Sequence, residues 1–64
     1  MSPKSRQILE ILRGGAQPIS SLIARGYPRG LINGLEERGY VRVHGWLTGT
    51  PIVFLTASGL EQIQ

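Results

Sequence analysis

The segment 18–41 constrains the fold of this chain more than any other segment. It runs Pro-Ile-Ser-Ser-Leu-Ile-Ala-Arg-Gly-Tyr-Pro-Arg-Gly-Leu-Ile-Asn-Gly-Leu-Glu-Glu-Arg-Gly-Tyr-Val. Gly26 is predicted to end one short helix, and the pair Tyr27 and Pro28 forces a new start because the residue before a proline avoids the helical region. Gly39 is predicted to end the second helix in front of a strand. This order presents one helix outward, and the major groove of DNA is wide enough to admit a helix.

The spacing of apolar residues extends this pattern to both ends of the chain. The first helix is predicted over 3–13, with Ser2 as its N-cap, Pro3 at its first position, and Gly14 and Gly15 at its end. The other predicted elements are helices over 20–25, 28–38 and 57–63, strands over 40–44 and 50–55, and a hairpin connection over 45–49. We therefore expect one α+β domain over 1–64, in the order α-α-α-β-β-α with a two-stranded antiparallel wing.

A single core is expected, because the apolar residues of each predicted helix fall on one face at 100° per residue. Its predicted members are Ile8, Leu12, Leu22, Ile23, Leu31, Leu35 and Val41. Ser20 and Thr56 are predicted to cap the second and the last helix, since a hydroxyl there accepts a hydrogen bond from a free amide. Pro51 marks an edge position or the start of the return strand, because proline has no N–H to donate to a sheet.

The composition argues against catalytic and metal-dependent functions. The chain has no cysteine, no aspartate and one histidine, His44, and no glycine-rich phosphate loop follows a strand. We therefore expect no enzyme activity, no metal, no cofactor and no small-molecule substrate. The absence of cysteine fits a reducing, cytoplasmic location, and the sequence has neither a secretory signal nor the roughly 18 apolar residues of a membrane span. The net charge of +3 favours an anionic partner.

Three ordered stretches carry a family resemblance. They are Ile-Ser-Ser-Leu-Ile-Ala-Arg over 19–25, Leu-Glu-Glu-Arg-Gly-Tyr-Val over 35–41 and Leu-Thr-Ala-Ser-Gly over 55–59. In this order they resemble three parts of winged helix-turn-helix regulators of the multiple-antibiotic-resistance repressor type. These parts are the second helix, the end of the recognition helix with the first wing strand, and the entry into the next helix. The resemblance implies that the chain binds double-stranded DNA through its third predicted helix, assisted by the wing.

Two features depart from that family pattern. Family wings often carry Arg or Lys at the tip, whereas residues 45–49 here are Gly-Trp-Leu-Thr-Gly, so an electrostatic contact between the wing tip and DNA is not expected. Family members also continue into long dimerisation helices. That mode of dimerisation is not expected for a sequence that stops at Gln64.

The start of the third predicted helix is the expected DNA-contacting surface. Arg29 offers paired donors to guanine or phosphate, and Asn33, one turn later, offers a pair of hydrogen bonds to adenine. Gly30 and Gly34 each cost about 1 kcal/mol relative to alanine inside a helix, and they lie opposite its apolar face, which favours close approach to a groove. The predicted DNA-binding residues are Ser20, Ser21, Tyr27, Arg29, Gly30, Asn33, Arg42 and Trp46.

These residues also have ordinary structural interpretations, and other functions stay open. Arg29 and Asn33 can be plain solvated side chains, Ser20 a plain N-cap, and Trp46 can pack back onto its own domain. The leading hypothesis is a sequence-specific DNA-binding protein that regulates transcription or helps to assemble a recombination or replication complex. One alternative is a winged helix that binds a protein or a second copy of itself through Trp46, Leu47 and the glycine face. The other is a domain cut from a larger regulator.

Overall fold

The computed structural model describes residues 1–47 and 49–64, so Thr48 in the predicted hairpin connection lies outside the described part of the chain. The elements, in chain order, are α1 (Pro3–Arg13), β1 (Gln17–Pro18), α2 (Ile19–Ala24), α3 (Arg29–Glu37), β2 (Val41–His44), β3 (Ile52–Leu55) and α4 (Ala57–Glu61). The described residues thus form four helices and a three-stranded antiparallel sheet. The predicted α+β class is confirmed.

Helix α1 has the bounds that its sequence predicts. The Ser2 hydroxyl accepts a hydrogen bond from the backbone amide of Ser5 at 3.2 Å, and Pro3 lies in the first helical turn. The cap satisfies one of the amides that every helix leaves free at its start. The chain leaves the helix through Gly14 and Gly15.

Helices α2 and α3 end in the same way. Beyond α3, the Gly39 amide donates to the Glu36 carbonyl at 2.9 Å, and the Tyr40 amide donates to the Leu35 carbonyl at 3.0 Å. Gly39 has φ +80°, a left-handed conformation that suits glycine. Gly26 takes the equivalent position after α2. Both predicted glycine stops are therefore confirmed, and the second one turns the chain into β2.

The sheet contains one strand more than the sequence predicts. Its order is β1-β3-β2, and β3 pairs antiparallel with both neighbours. The prediction of a two-stranded wing is wrong in this respect, because Gln17 pairs with Val53 and extends the sheet beyond β3. A strand of two residues is too short to show an alternating pattern in the sequence. Pro51 lies immediately before β3, at a strand start as predicted, and its carbonyl accepts from the Ile19 amide at 2.9 Å.

The core lies between the helices and one face of the sheet. Its buried apolar residues are Ile8, Leu9, Leu12, Ile19, Leu22, Ile32, Leu35, Val41, Val53 and Ile63. The predicted core differs at two positions, since Leu31 is only half-buried and Ile23 is 44% exposed. The prediction for Ile23 is wrong because the short helix α2 buries only Ile19 and Leu22. Ile23 lies about 40° beyond Ile19 and 100° from Leu22, just outside that narrow stripe.

The prediction that Ser20 caps α2 is also wrong. The helix begins one residue earlier, Pro18 is its N-cap without a side-chain hydrogen bond, and Ser20 lies inside the first turn. Pairing in β1 holds the chain extended as far as Pro18, so the helix starts where the sheet pairing ends. Helices α3 and α4 and strands β2 and β3 are shorter than predicted by one or two residues at an end, which is the usual uncertainty of helix and strand ends.

Helix α4 is joined to the start of β2 through Thr56 and Gly59. The Thr56 hydroxyl donates to the Gly39 carbonyl at 2.6 Å and accepts from the Gly59 amide at 3.0 Å. The Thr56 amide donates to the Tyr40 carbonyl at 3.1 Å. Gly59 lies so close to this strand that a Cβ would collide with the Tyr40 carbonyl oxygen. The predicted Thr56 cap is confirmed, and its hydroxyl also ties α4 to the turn after α3.

Candidate functional site

Helix α3 presents an exposed face opposite its buried face. Ile32 and Leu35 are buried in the core, whereas Arg29, Gly30 and Asn33 are exposed. At 100° per residue, positions 29, 30 and 33 span an arc of about 100° on the helix surface. This arc combines one cation, one side-chain amide and bare backbone, as the helical period of the sequence predicts.

The start of α3 contacts the tip of the β2–β3 hairpin, which we define as Gly45, Trp46 and Leu47. The guanidinium carbon of Arg29 lies 5.0 Å from the centroid of the Trp46 ring. This distance is typical of a cation–π interaction, which contributes about 0.5–1 kcal/mol at an exposed site. Trp46 remains 41% exposed, so it is not buried in its own domain. Two predicted site residues, distant in sequence, therefore share one surface.

Gly30 and Gly34 have no need to be glycine for reasons of space or backbone conformation. Neither adopts a positive φ, and a Cβ built on either would meet no atom within 4 Å. Each costs about 1 kcal/mol relative to alanine in a helix. The packing around these two positions does not compensate that cost. They leave a strip of bare helical backbone beside Arg29, which we call the glycine strip.

The Tyr27 hydroxyl is engaged with α1. It donates to the side-chain oxygen of Gln7 at 2.9 Å, and the half-buried ring packs against the core. This bond holds the turn between α2 and α3 against α1 and so positions Arg29 at the start of the next helix. The sequence gives no local signal for the role of Gln7, because a glutamine on the polar face of a helix is usually a plain solvated side chain. A contact between Tyr27 and DNA stays a prediction.

The two serines of α2 differ in exposure. Ser20 is exposed, whereas Ser21 is half-buried and its hydroxyl donates to the side-chain oxygen of Gln17 at 3.4 Å. The Ser21 hydroxyl therefore connects α2 to β1. Contact between phosphate and these serines stays a prediction.

Arg42 lies on β2 and takes no part in the contact between Arg29 and Trp46. It is exposed on β2 opposite Phe54, and it lines a groove that also includes Glu36 near the end of α3. Arg42 and Glu36 line the same groove, and among the described residues no ion pair joins them. The predicted contact of Arg42 with DNA stays a prediction.

The start of α3 and the hairpin belong to segments without acidic residues. The four acidic residues of the chain are Glu10, Glu36, Glu37 and Glu61. Segments 11–35 and 38–60 consequently contain none. Glu10 lies one helical turn after Arg6 on α1 and pairs with it at 3.8 Å between Nη2 and Oε1. The acidic residue nearest to Arg29 in the sequence is Glu36, seven residues or about two helical turns further along α3.

The arrangement offers groups for non-covalent recognition: a guanidinium, a side-chain amide, an indole ring and bare backbone. Within the described residues, no three His, Cys, Asp or Glu side chains are grouped so that they could hold a metal ion. No helix in ranges 1–47 and 49–64 has the length and apolar character needed to cross a membrane. No model of a protein family, no curated protein and no solved structure matches this chain.

Proposed function

We propose that this chain is a small winged helix protein that binds double-stranded DNA sequence-specifically, with the start of α3 in the major groove. The observation that carries the proposal is the contact between Arg29 of α3 and Trp46 of the hairpin tip. It holds the helix start beside the hairpin, so a single duplex can touch both elements at once. In this role the protein would regulate transcription or act as an accessory factor in a complex assembled on DNA.

The glycine strip supports the proposal because it lowers the surface of α3. Gly30 and Gly34 together cost about 2 kcal/mol relative to alanine, a large share of the roughly 5 kcal/mol expected for a marginally stable small domain. A helix backbone without Cβ atoms can approach the floor of a groove more closely. The benefit that offsets this cost is therefore expected outside the chain, in the bound partner.

Arg29 and Asn33 supply the means of recognising bases. Both are exposed on the same arc of α3, and arginine and asparagine make paired hydrogen bonds to guanine and adenine, respectively. The contact of Arg29 with the indole ring is not a hydrogen bond, so the guanidinium keeps its N–H donors for a base or a phosphate. The indole ring thus holds the guanidinium in place, while the N–H groups of the guanidinium stay available for hydrogen bonds.

The charge distribution favours docking through the first half of α3. Glu36 and Glu37 close the far end of the helix and repel phosphate, whereas segment 11–35 contains no carboxylate. Because few cations lie on this face, affinity is expected to be modest and to fall with salt. Each neutralised phosphate steepens the plot of log affinity against log salt by about 0.9.

Titration of the protein with an end-labelled duplex of mixed sequence at low salt tests the proposal. Anisotropy of the label measures binding, and the fluorescence of Trp46, the only tryptophan, reports independently on the hairpin tip. We expect saturable binding, with a loss of about 1–3 kcal/mol for Arg29→Ala if its paired contact is to a base. Arg38→Ala removes the same charge at the other end of α3 and should cost less. Circular dichroism of both variants controls for folding.

Two results would contradict different parts of this proposal. If Arg29→Ala and Arg38→Ala bind the duplex equally well, the start of α3 does not contact DNA. If the wild-type protein does not bind duplex DNA even at low salt, DNA binding itself is wrong. A protein contact through Trp46 and Leu47 then becomes the better hypothesis, and sedimentation velocity tests it for self-association.

A further inference from the structure

Leu47 projects from the hairpin tip almost completely free of the rest of the chain. Its side chain is 98% exposed, and the neighbouring Trp46 is 41% exposed. At the base of the tip, Gly45 has φ +91° and a Cβ there would lie 3.3 Å from the Thr50 carbonyl oxygen, so these two backbone positions lie close together. The hairpin tip therefore carries one large apolar side chain that is almost fully exposed.

The size of this apolar feature distinguishes between two kinds of partner. A stable protein interface buries about 800 Å² on each side, far more than a leucine and part of an indole ring provide. A single apolar side chain is instead the size of the wedges that DNA-bending proteins insert between base pairs through the minor groove. The dimensions of the tip therefore favour a base step over a protein surface.

The position and charge of the tip point to the same partner. Trp46 contacts Arg29 at the start of α3, so a duplex that docks on the start of α3 would also lie close to the tip. Segment 38–60, which contains the whole hairpin, has no carboxylate to repel phosphates. A duplex docked on α3 would thus meet Leu47 without electrostatic opposition from the hairpin.

We infer that Leu47 is an apolar wedge that enters a base step and bends the bound duplex. The inference rests on the proposed DNA-binding function. Trp46, stacked under Arg29, supports the base of the wedge and links it to α3. Pyrimidine–purine steps such as TA and CA are the easiest to unstack, so a site with such a step beneath the tip should bend most readily.

Energy transfer between dyes at the two ends of a duplex of about 20–30 base pairs tests this inference, while anisotropy on the same samples measures binding. The wild-type protein should bend the duplex by about 20–90°. Bending brings the two dyes closer together and so raises the efficiency of energy transfer. Leu47→Ala should still bind but leave the duplex close to straight. Leu47→Met is the matched control, because methionine also acts as a wedge, and it should keep the bend. Because Leu47 makes so little contact with the fold, both variants should stay folded.

Anisotropy reports binding and energy transfer reports bending, so the two measurements test the DNA-binding proposal and the wedge separately. Suppose the wild-type protein binds without a change in the efficiency of energy transfer, or Leu47→Ala bends the duplex as strongly as wild type. Leu47 is then not a wedge, and the DNA-binding proposal is unaffected. If no binding is detected by anisotropy at low salt, both the wedge and the DNA-binding proposal are wrong.

Discussion

Adding one methyl group at Gly59 is expected to destabilise the fold, whereas the same addition at Gly30 should stabilise it. At Gly59 the new Cβ would overlap the Tyr40 carbonyl oxygen and lie 2.7 Å from Leu55 Cδ1. The leucine methyl can rotate away, but the carbonyl belongs to the backbone of Tyr40, immediately before β2. Helix α4 would therefore have to move outward, which strains its hydrogen bonds through Thr56.

The expected cost follows from these contacts. Overpacking against a rigid neighbour costs about 1–3 kcal/mol, and each weakened hydrogen bond adds about 1 kcal/mol. The higher helix propensity of alanine stabilises the variant by at most about 1 kcal/mol. With both Thr56 hydrogen bonds weakened, the net loss for Gly59→Ala is therefore about 2–4 kcal/mol. Because 1 kcal/mol corresponds to about 4–8 °C in a domain of this size, Tm should fall by at least about 8 °C.

Thermal unfolding followed by far-UV circular dichroism measures both variants. Gly30→Ala meets no atom within 4 Å and gains helix propensity, so its Tm should rise by about 4–8 °C. If Gly59→Ala unfolds at or above the wild-type temperature, the close approach of Gly59 to the Tyr40 carbonyl does not limit the stability of the fold. A lower Tm for Gly30→Ala would show that Gly30 has a structural role within the chain.

Three further outcomes are expected. Thr56→Val removes the hydroxyl that bridges Gly39 and Gly59 and should lower the free energy of unfolding by about 1–2 kcal/mol in urea titrations; an unchanged midpoint would contradict the bridge. Asn33→Ala should reduce the discrimination between bases at one base pair by about 1–3 kcal/mol. Competition among duplexes that differ at single positions measures this discrimination, and an equal loss of affinity for all duplexes would exclude a base contact by Asn33. If Arg29 contacts phosphate, Arg29→Ala should reduce the salt slope of binding by about 0.9, and an unchanged slope would exclude that contact.

The sequence alone determined the features of this chain that depend on near neighbours. The Ser2 cap of α1, the glycine stop at Gly39 and the Thr56 cap of α4 all follow from hydrogen bonds that span a few residues. Such signals act locally, so a single sequence is sufficient to predict them. The helical period likewise predicted that Arg29 and Asn33 lie on the exposed face of α3.

The sequence predicted the components of the candidate site but not their arrangement. Arg29 and Trp46 were both singled out, yet their contact forms only because the β2–β3 hairpin brings its tip beside the start of α3. Tyr27 was expected to contact DNA, and the structure engages its hydroxyl with Gln7 of α1. Each of these contacts joins residues from different elements, whose relative placement no local pattern describes.

Tertiary packing alone decided the remaining features. Strand β1 exists because Gln17 meets Val53 across the sheet, Ile23 is exposed because α2 buries only a narrow stripe, and Gly59 is required because α4 lies against the Tyr40 carbonyl. Burial and close approach depend on which distant segments meet in space. Short-range conformational preferences therefore predict local caps and glycine stops, whereas the contacts between elements, and the ends that depend on those contacts, are determined only when the whole chain packs around one core.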